Sequence, residues 1–178
     1  MMDTFGIELE FISPYVISEI ADVLNVSLED NMYDPYKQWI LKSERQTEDF
    51  GLELISPQFV IFPEESLGNY IDHLSANDCR VNKTCGLHFH FSGPSFANWL
   101  NRKDTFVKFK ALRLLQLSNP HPQRVKFCRD FKSFHDKTCA IRHVSEDHWE
   151  CRVFNAELNL KYIIQKFETM RRVLYDSK

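Results

Sequence analysis

Glycine is scarce in this chain, five in 178 residues, and no segment repeats or is of low complexity. With 43% hydrophobic and 26% charged residues, the composition is that of a globular protein and excludes collagen-like and disordered classes. The cysteines, Cys79, Cys85, Cys128, Cys139 and Cys151, are odd in number and form no Cys-x-x-Cys pair. Neither a disulfide framework nor a zinc ribbon is indicated, and buried thiols are expected. No run approaches the roughly 20 apolar residues of a membrane span, so no membrane partner is expected. The opening Met1-Met2-Asp3-Thr4 lacks the basic and apolar regions of a signal peptide, which predicts a cytoplasmic protein. The length suits one domain over 1–178, since single domains cluster at about 100–150 residues.

A net charge of −3 hides an asymmetry. Residues 102–142 hold eleven Lys/Arg and three Asp/Glu, leaving the remainder strongly acidic. Such a segment is either a solvated helical face or an attractor of ATP phosphates, acidic substrate or nucleic acid. Reversing Arg124, Lys126 and Arg129 to Glu tests whether it sets acceptor or nucleotide specificity.

Apolar periodicity orders the chain. Thr4 to Ile12 alternates as a strand that Pro14 ends, and residues 15–25 have helical spacing. Gln38–Lys42 and Gly51–Ser56 read as a hairpin around the polar run 43–49. Pro63 with Glu64 and Glu65 opens a helix over 63–76. Gly86–Ser92 is a further strand. Residues 102–118 place Phe106, Phe109, Leu112 and Leu115 at helical spacing, and 119–137 reads as loop with a short helix. Cys139–Val144 and His148–Phe154 resemble a hairpin, and Leu158–Tyr175 a closing helix. This order predicts an α+β fold, a largely antiparallel sheet with helices on one face and the active site on the other.

Period-two alternation assigns the chemistry to that second face. Glu8 and Glu10 oppose Ile7, Leu9 and Phe11. Glu53 opposes Leu52 and Leu54, His88 and His90 oppose Leu87, Phe89 and Phe91, and His148, Glu150 and Arg152 oppose Trp149, Cys151 and Val153. Each pair alone is most simply a half-exposed strand. Together they gather carboxylates that would repel one another without cations. Three of the five glycines, Gly6, Gly51 and Gly86, stand two residues before Glu8, Glu53 and His88. Glycine weakens a strand, a cost explained by close approach of a nucleotide or metal-phosphate ligand. Oxygen-rich donors without thiolates point to Mg²⁺ or Mn²⁺ rather than zinc. Arg152 suits bidentate phosphate binding.

Five segments carry a resemblance: Phe5-Gly-Ile-Glu-Leu-Glu-Phe11, Trp39 through Glu44, Gly51-Leu-Glu-Leu-Ile-Ser-Pro57, Gly86-Leu-His-Phe-His-Phe-Ser92 and Glu150-Cys-Arg-Val-Phe-Asn155. In this order they resemble the amidoligases, COOH-NH2 ligases sharing the fold of the glutamine synthetase catalytic domain. The chain has Glu44-Arg45-Gln46 where that family usually carries Asp-Gly-Ser. The resemblance implies a curved sheet, with Glu10 and Glu53 on one metal and Glu8, His88 and Glu150 on a second. It implies that His90 and Arg152 contact ATP phosphates, with Arg142 a further cofactor contact, and that Arg152 and Glu53 act in catalysis. The implied reaction joins a small-molecule or peptide carboxylate to an amine through an acyl phosphate, using ATP and two divalent metals. Nucleic acid is not expected as a partner, and an oligomer is left open. The alternatives are a metal-dependent nuclease or other phosphoryl-transfer enzyme, or an inactive nucleotide- or partner-binding module.

Overall fold

The computed structural model describes residues 2–28, 38–44, 50–99, 104–125, 138–145 and 147–176. The elements in chain order are β1 (Thr4–Ser13), α1 (Ile17–Leu24), β2 (Ser27–Leu28), β3 (Ile40–Glu44), β4 (Phe50–Ile55), α2 (Glu64–Ala76), β5 (Gly86–Ser92), α3 (Asp104–Ser118), α4 (Pro122–Val125), β6 (Ile141–Ser145), β7 (His148–Asn155) and α5 (Leu160–Tyr175). The strands form one open, mixed seven-stranded sheet in the order β2-β3-β4-β1-β5-β7-β6. Its neighbours are antiparallel except for the parallel pair β2–β3. The α+β class with a largely antiparallel sheet agrees with the alternation pattern. The two-residue β2 is too short for periodicity to reveal.

One face of the sheet is covered. Ile7, Leu9 and Phe11 of β1, Leu52 and Leu54 of β4, Leu87, Phe89 and Phe91 of β5, and Trp149 and Cys151 of β7 share a core with Ile20 of α1, Leu67 and Ile71 of α2, Val107 and Leu114 of α3, and Ile163 and Met170 of α5. Phe167 of α5 sits at the centre. Its ring meets Phe5 edge-on at 5.2 Å and lies 5.5 Å from Phe89. Such aromatic pairs add about 0.5–1.5 kcal/mol each beyond their buried area. Cys79, Cys85, Cys139 and Cys151 are buried thiols, as expected. No described helix is long and apolar enough to cross a membrane.

Two sequence readings need correction. In α3 the spacing pointed Phe109 and Leu112 inward, but both are exposed, and the buried residues are Val107, Lys110, Ala111 and Leu114. The helix is turned by its lysine. Lys110 is fully buried, and its Nζ donates to the Val173 carbonyl at 2.7 Å and to the Asp176 carbonyl. It thereby satisfies carbonyls at the C-terminal end of α5, where a cation is favoured. Arg113 adds a 2.6 Å ion pair to the Asp176 carboxylate. Part of the basic segment is therefore structural rather than a solvated face. The side chains of Arg124, Lys126 and Arg129, and those of the run from Glu44 to Asp49, lie outside the described residues.

The end of β5 is fixed by local geometry. Gly93 has φ +126°, and a Cβ there would stand 2.6 Å from the Asp3 carboxylate, so only glycine fits. Asp3 in turn accepts from Ser95 N–H at 3.1 Å and from the Tyr175 hydroxyl at 2.6 Å, tying β1, the turn after β5 and α5 together.

Candidate metal centre

The face away from the helices gathers the ionisable residues. Register does most of the work: β1 pairs Glu10 with Glu53 of β4 and Glu8 with His88 of β5, while β5 pairs His90 with Glu150 of β7. Directly opposed residues in a sheet bring their Cβ atoms to about 4.5–5.5 Å, so three strand pairings suffice to build the cluster. Between the pairs Leu87–Phe154 and Phe89–Cys151, β7 carries an extra residue. Arg152 and Val153 thus share His88 as their opposite number. This bulge keeps Val153 buried while leaving Arg152 beside Glu150, a re-aiming common near functional sites.

His88 is the hub. It is 1% exposed, with Nδ1 at 3.2 Å from Glu8 Oε2 and 3.4 Å from Glu150 Oε1, and Nε2 at 3.3 Å from Glu10 Oε1. Two donor sets follow, Glu8–His88–Glu150 and Glu10–Glu53–His88, and within each the ligand atoms lie within 4.8 Å of one another. Glu10 is oriented by the Gly86 N–H, which donates to its Oε2. That bond is one reason for close backbone approach at a glycine. Gly6 lines a cavity, and a Cβ there would meet His90 Cβ at 3.4 Å, an ordinary contact.

The charges are arranged around Glu150, which is 1% exposed. Arg142 Nε lies 3.1 Å from its Oε2, and Arg152 Nη1 pairs with its Oε1. Burial works to raise the Glu150 carboxyl, but the charges of His88, His90 and Arg152 outweigh it and hold the group low. Burial acts likewise on Glu8, and is overcome by the His90 charge and by hydrogen bonds from His88 and His90, which hold it well below the usual carboxylate range. His90 Nε2 is 2.8 Å from Glu8 Oε1, and its Nδ1 is 2.8 Å from His148 Nε2. Burial lowers His90, yet the charge of Glu8 raises it overall. Burial and the neighbouring His90 charge push His148 down to about 4. For Arg152, the charges of Glu150, Glu10 and Glu8 outweigh burial and raise its pKa further.

Every residue expected at the site, Glu8, Glu10, Glu53, His88, His90, Arg142, Glu150 and Arg152, is on this face and within its network. Arg142 stands opposite Glu150 in the β6–β7 register. The network engages His90 with Glu8 and His148, and both arginines with Glu150. Four carboxylates, two of them nine-tenths or more buried, exceed the arginine charge, and all donors are oxygen or imidazole nitrogen. That donor set fits hard divalent cations and matches no thiolate-selecting metal.

Beside the cluster is a cavity of about 250 Å³. Glu8, His90 and His148 line it together with Gly6, Ile55 and Lys42. Sequence reading placed His148 on this face without a role and missed Lys42. The signal was present in the alternation of Lys42 with Leu41, whereas its place opposite Glu53 is set by the β3–β4 register.

The fold and the site define a class: an open α+β sheet with a carboxylate–imidazole–guanidinium cluster on the face opposite its hydrophobic core. Among protein-family models, curated proteins and solved structures, none matches this chain.

Proposed function

We propose that the chain is an ATP-dependent carboxylate–amine ligase of the amidoligase type, with a glutamine synthetase-like sheet. The observation that carries this reading is the pair of donor sets sharing His88, with two arginines on the same face. Glu10 and Glu53 would hold one Mg²⁺ or Mn²⁺, and Glu8, His88 and Glu150 a second. Divalent cations there would supply charge neutralisation for the phosphates of ATP.

The chain's own groups support the rest. Arg152 and Arg142 form a guanidinium pair beside Glu150, suited to the equatorial oxygens of a transferring phosphoryl group. A substrate carboxylate attacking the γ phosphorus gives an acyl phosphate and ADP, and an amine then displaces phosphate to leave an amide. The amine must lose a proton in that step, and Glu53, buried beside Glu10, is our candidate acceptor.

Calorimetric titration of ATP and a non-hydrolysable analogue, with and without Mg²⁺, tests the reading beside Arg152→Ala and Glu10→Gln. The expected result is metal-dependent binding that both variants lose, followed by phosphate release only when a carboxylate and an amine are supplied. Absence of nucleotide binding by the wild type overturns it, and metal-dependent cleavage of DNA or RNA without ATP selects a nuclease instead.

A further inference from the structure

A carboxylate that binds a cation works best when a neighbouring group fixes where its oxygens point. Glu10 takes the Gly86 N–H, and Glu150 takes the Arg142 and Arg152 guanidiniums. Glu8 is held by imidazoles, with His88 Nδ1 at 3.2 Å from its Oε2 and His90 Nε2 at 2.8 Å from its Oε1. His88 is itself a member of the Glu8–His88–Glu150 donor set. His90 belongs to neither donor set, so it is the group left to hold Glu8 when a cation occupies the site.

His90 reaches Glu8 on a diagonal. The register places Glu8 opposite His88, and His90 opposite Gly6 on one side and Glu150 on the other. Diagonal neighbours in a sheet stand about 7–8 Å apart, a span that long and aromatic side chains bridge. The same diagonal repeats on the next strand pair. His148 lies two residues before Glu150 on β7, and its Nε2 is 2.8 Å from His90 Nδ1. The two ring centroids are 5.0 Å apart and the planes are tilted by 51°, so the N–H of one ring donates to a nitrogen of the other. Glu8, His90 and His148 form one oblique row across β1, β5 and β7. An imidazole has two distinct nitrogens, and what one of them holds decides what the other offers. With His148 on Nδ1, His90 presents Nε2 to Glu8. His148 is the outer end of the row, half-buried where it lines the cavity.

We propose that His148 is a positioning residue: through His90 it holds the Glu8 carboxylate in place for the cation on Glu8, His88 and Glu150. It has no such role for the cation on Glu10 and Glu53, because Glu10 is oriented from the β5 backbone instead. The inference rests on the metal centre of the ligase reading and adds an outer residue to it. Loss of such an outer partner typically costs about 10–100-fold in metal affinity.

Mn²⁺ titration of the full chain, followed by electron paramagnetic resonance, tests this in two backgrounds. Glu53→Gln leaves the Glu8–His88–Glu150 set and His88→Ala leaves Glu10 and Glu53, so each background reads one ion. Into both go His148→Phe, which keeps a ring without its nitrogens, and His148→Gln, whose amide nitrogen reaches about as far as histidine Nε2. Circular dichroism verifies folding, and His148→Ala replaces His148→Phe if the latter does not fold. The expected result is that His148→Phe weakens Mn²⁺ binding about ten-fold in the Glu53→Gln background and leaves it unchanged in the His88→Ala background. His148→Gln should restore most of the loss. Nitrogen-15 NMR of the metal-free wild type should show a coupling across the His90 Nδ1–His148 Nε2 hydrogen bond. Equal weakening in both backgrounds marks a residue that serves only the fold and overturns the proposal. So do no weakening in either, His148→Gln as weak as His148→Phe, or absence of the coupling. No Mn²⁺ binding by the wild type overturns the proposal together with the metal centre. The expected Mn²⁺ pattern in a protein that does not bind the ATP analogue keeps the positioning role and overturns the ligase reading.

Discussion

The two faces of the sheet are made from the same strands by the same alternation, yet they follow opposite rules. On the helix-covered face, side chains such as Phe89, Phe167 and Trp149 fill space against one another, and neighbouring groups stabilise each other. On the open face, Glu10 stands directly opposite Glu53 and Glu8 and Glu150 crowd one histidine, so the carboxylates depend on neighbouring imidazole and guanidinium charges to offset their mutual repulsion. Like charges opposite one another in a sheet are destabilising. The difference teaches which residues the fold requires and which the fold tolerates for another purpose, and substitution should separate them.

The largest effect is expected on the covered face. Phe89→Ala removes a ring that is fully buried and contacts both Phe154 and Phe167, and should cost about 3–5 kcal/mol in urea unfolding. Lys110→Met tests a charged group buried in that interior. It leaves the Val173 and Asp176 carbonyls without their ammonium donor and should cost about 1–3 kcal/mol, even though methionine fills similar space. A neutral or stabilising result would show that Lys110 is incidental to the packing of α3 on α5. The open face should respond far less. Glu10→Gln, which keeps an oxygen for the Gly86 N–H, sets relief of the repulsion from Glu53 against loss of attraction to His88 and Arg152, and should change the stability of the metal-free protein by less than about 1 kcal/mol while abolishing any stabilisation by Mn²⁺. A loss as large as that of Phe89→Ala would mean that the fold itself requires this carboxylate, and the contrast between the faces would fail.

Much of this was legible in the chain. Alternation in β1, β4, β5 and β7 assigns each residue to its face, and charged residues at the polar positions of those strands identify the cluster without coordinates. Register was not legible. Nothing in the sequence says that Glu8 pairs with His88 and Ile55 at once, because pairing partners depend on strand order. The bulge at Arg152 and Val153 was hidden for the same reason. The orientation of α3 was misread because Lys110 occupies a position that periodicity reserves for apolar residues, and its reason lies some sixty residues away at the end of α5.

The central claim is that the open face holds two divalent cations, one on Glu10 and Glu53 and one on Glu8, His88 and Glu150. Titration of Mn²⁺ into the metal-free protein, followed by electron paramagnetic resonance, counts them directly beside Glu53→Gln and His88→Ala. The account predicts two bound ions per wild-type chain and one in each variant, since Glu53→Gln keeps the Glu8–His88–Glu150 set and His88→Ala keeps Glu10 and Glu53. No bound Mn²⁺ in the wild type, or the same count in all three proteins, would contradict it.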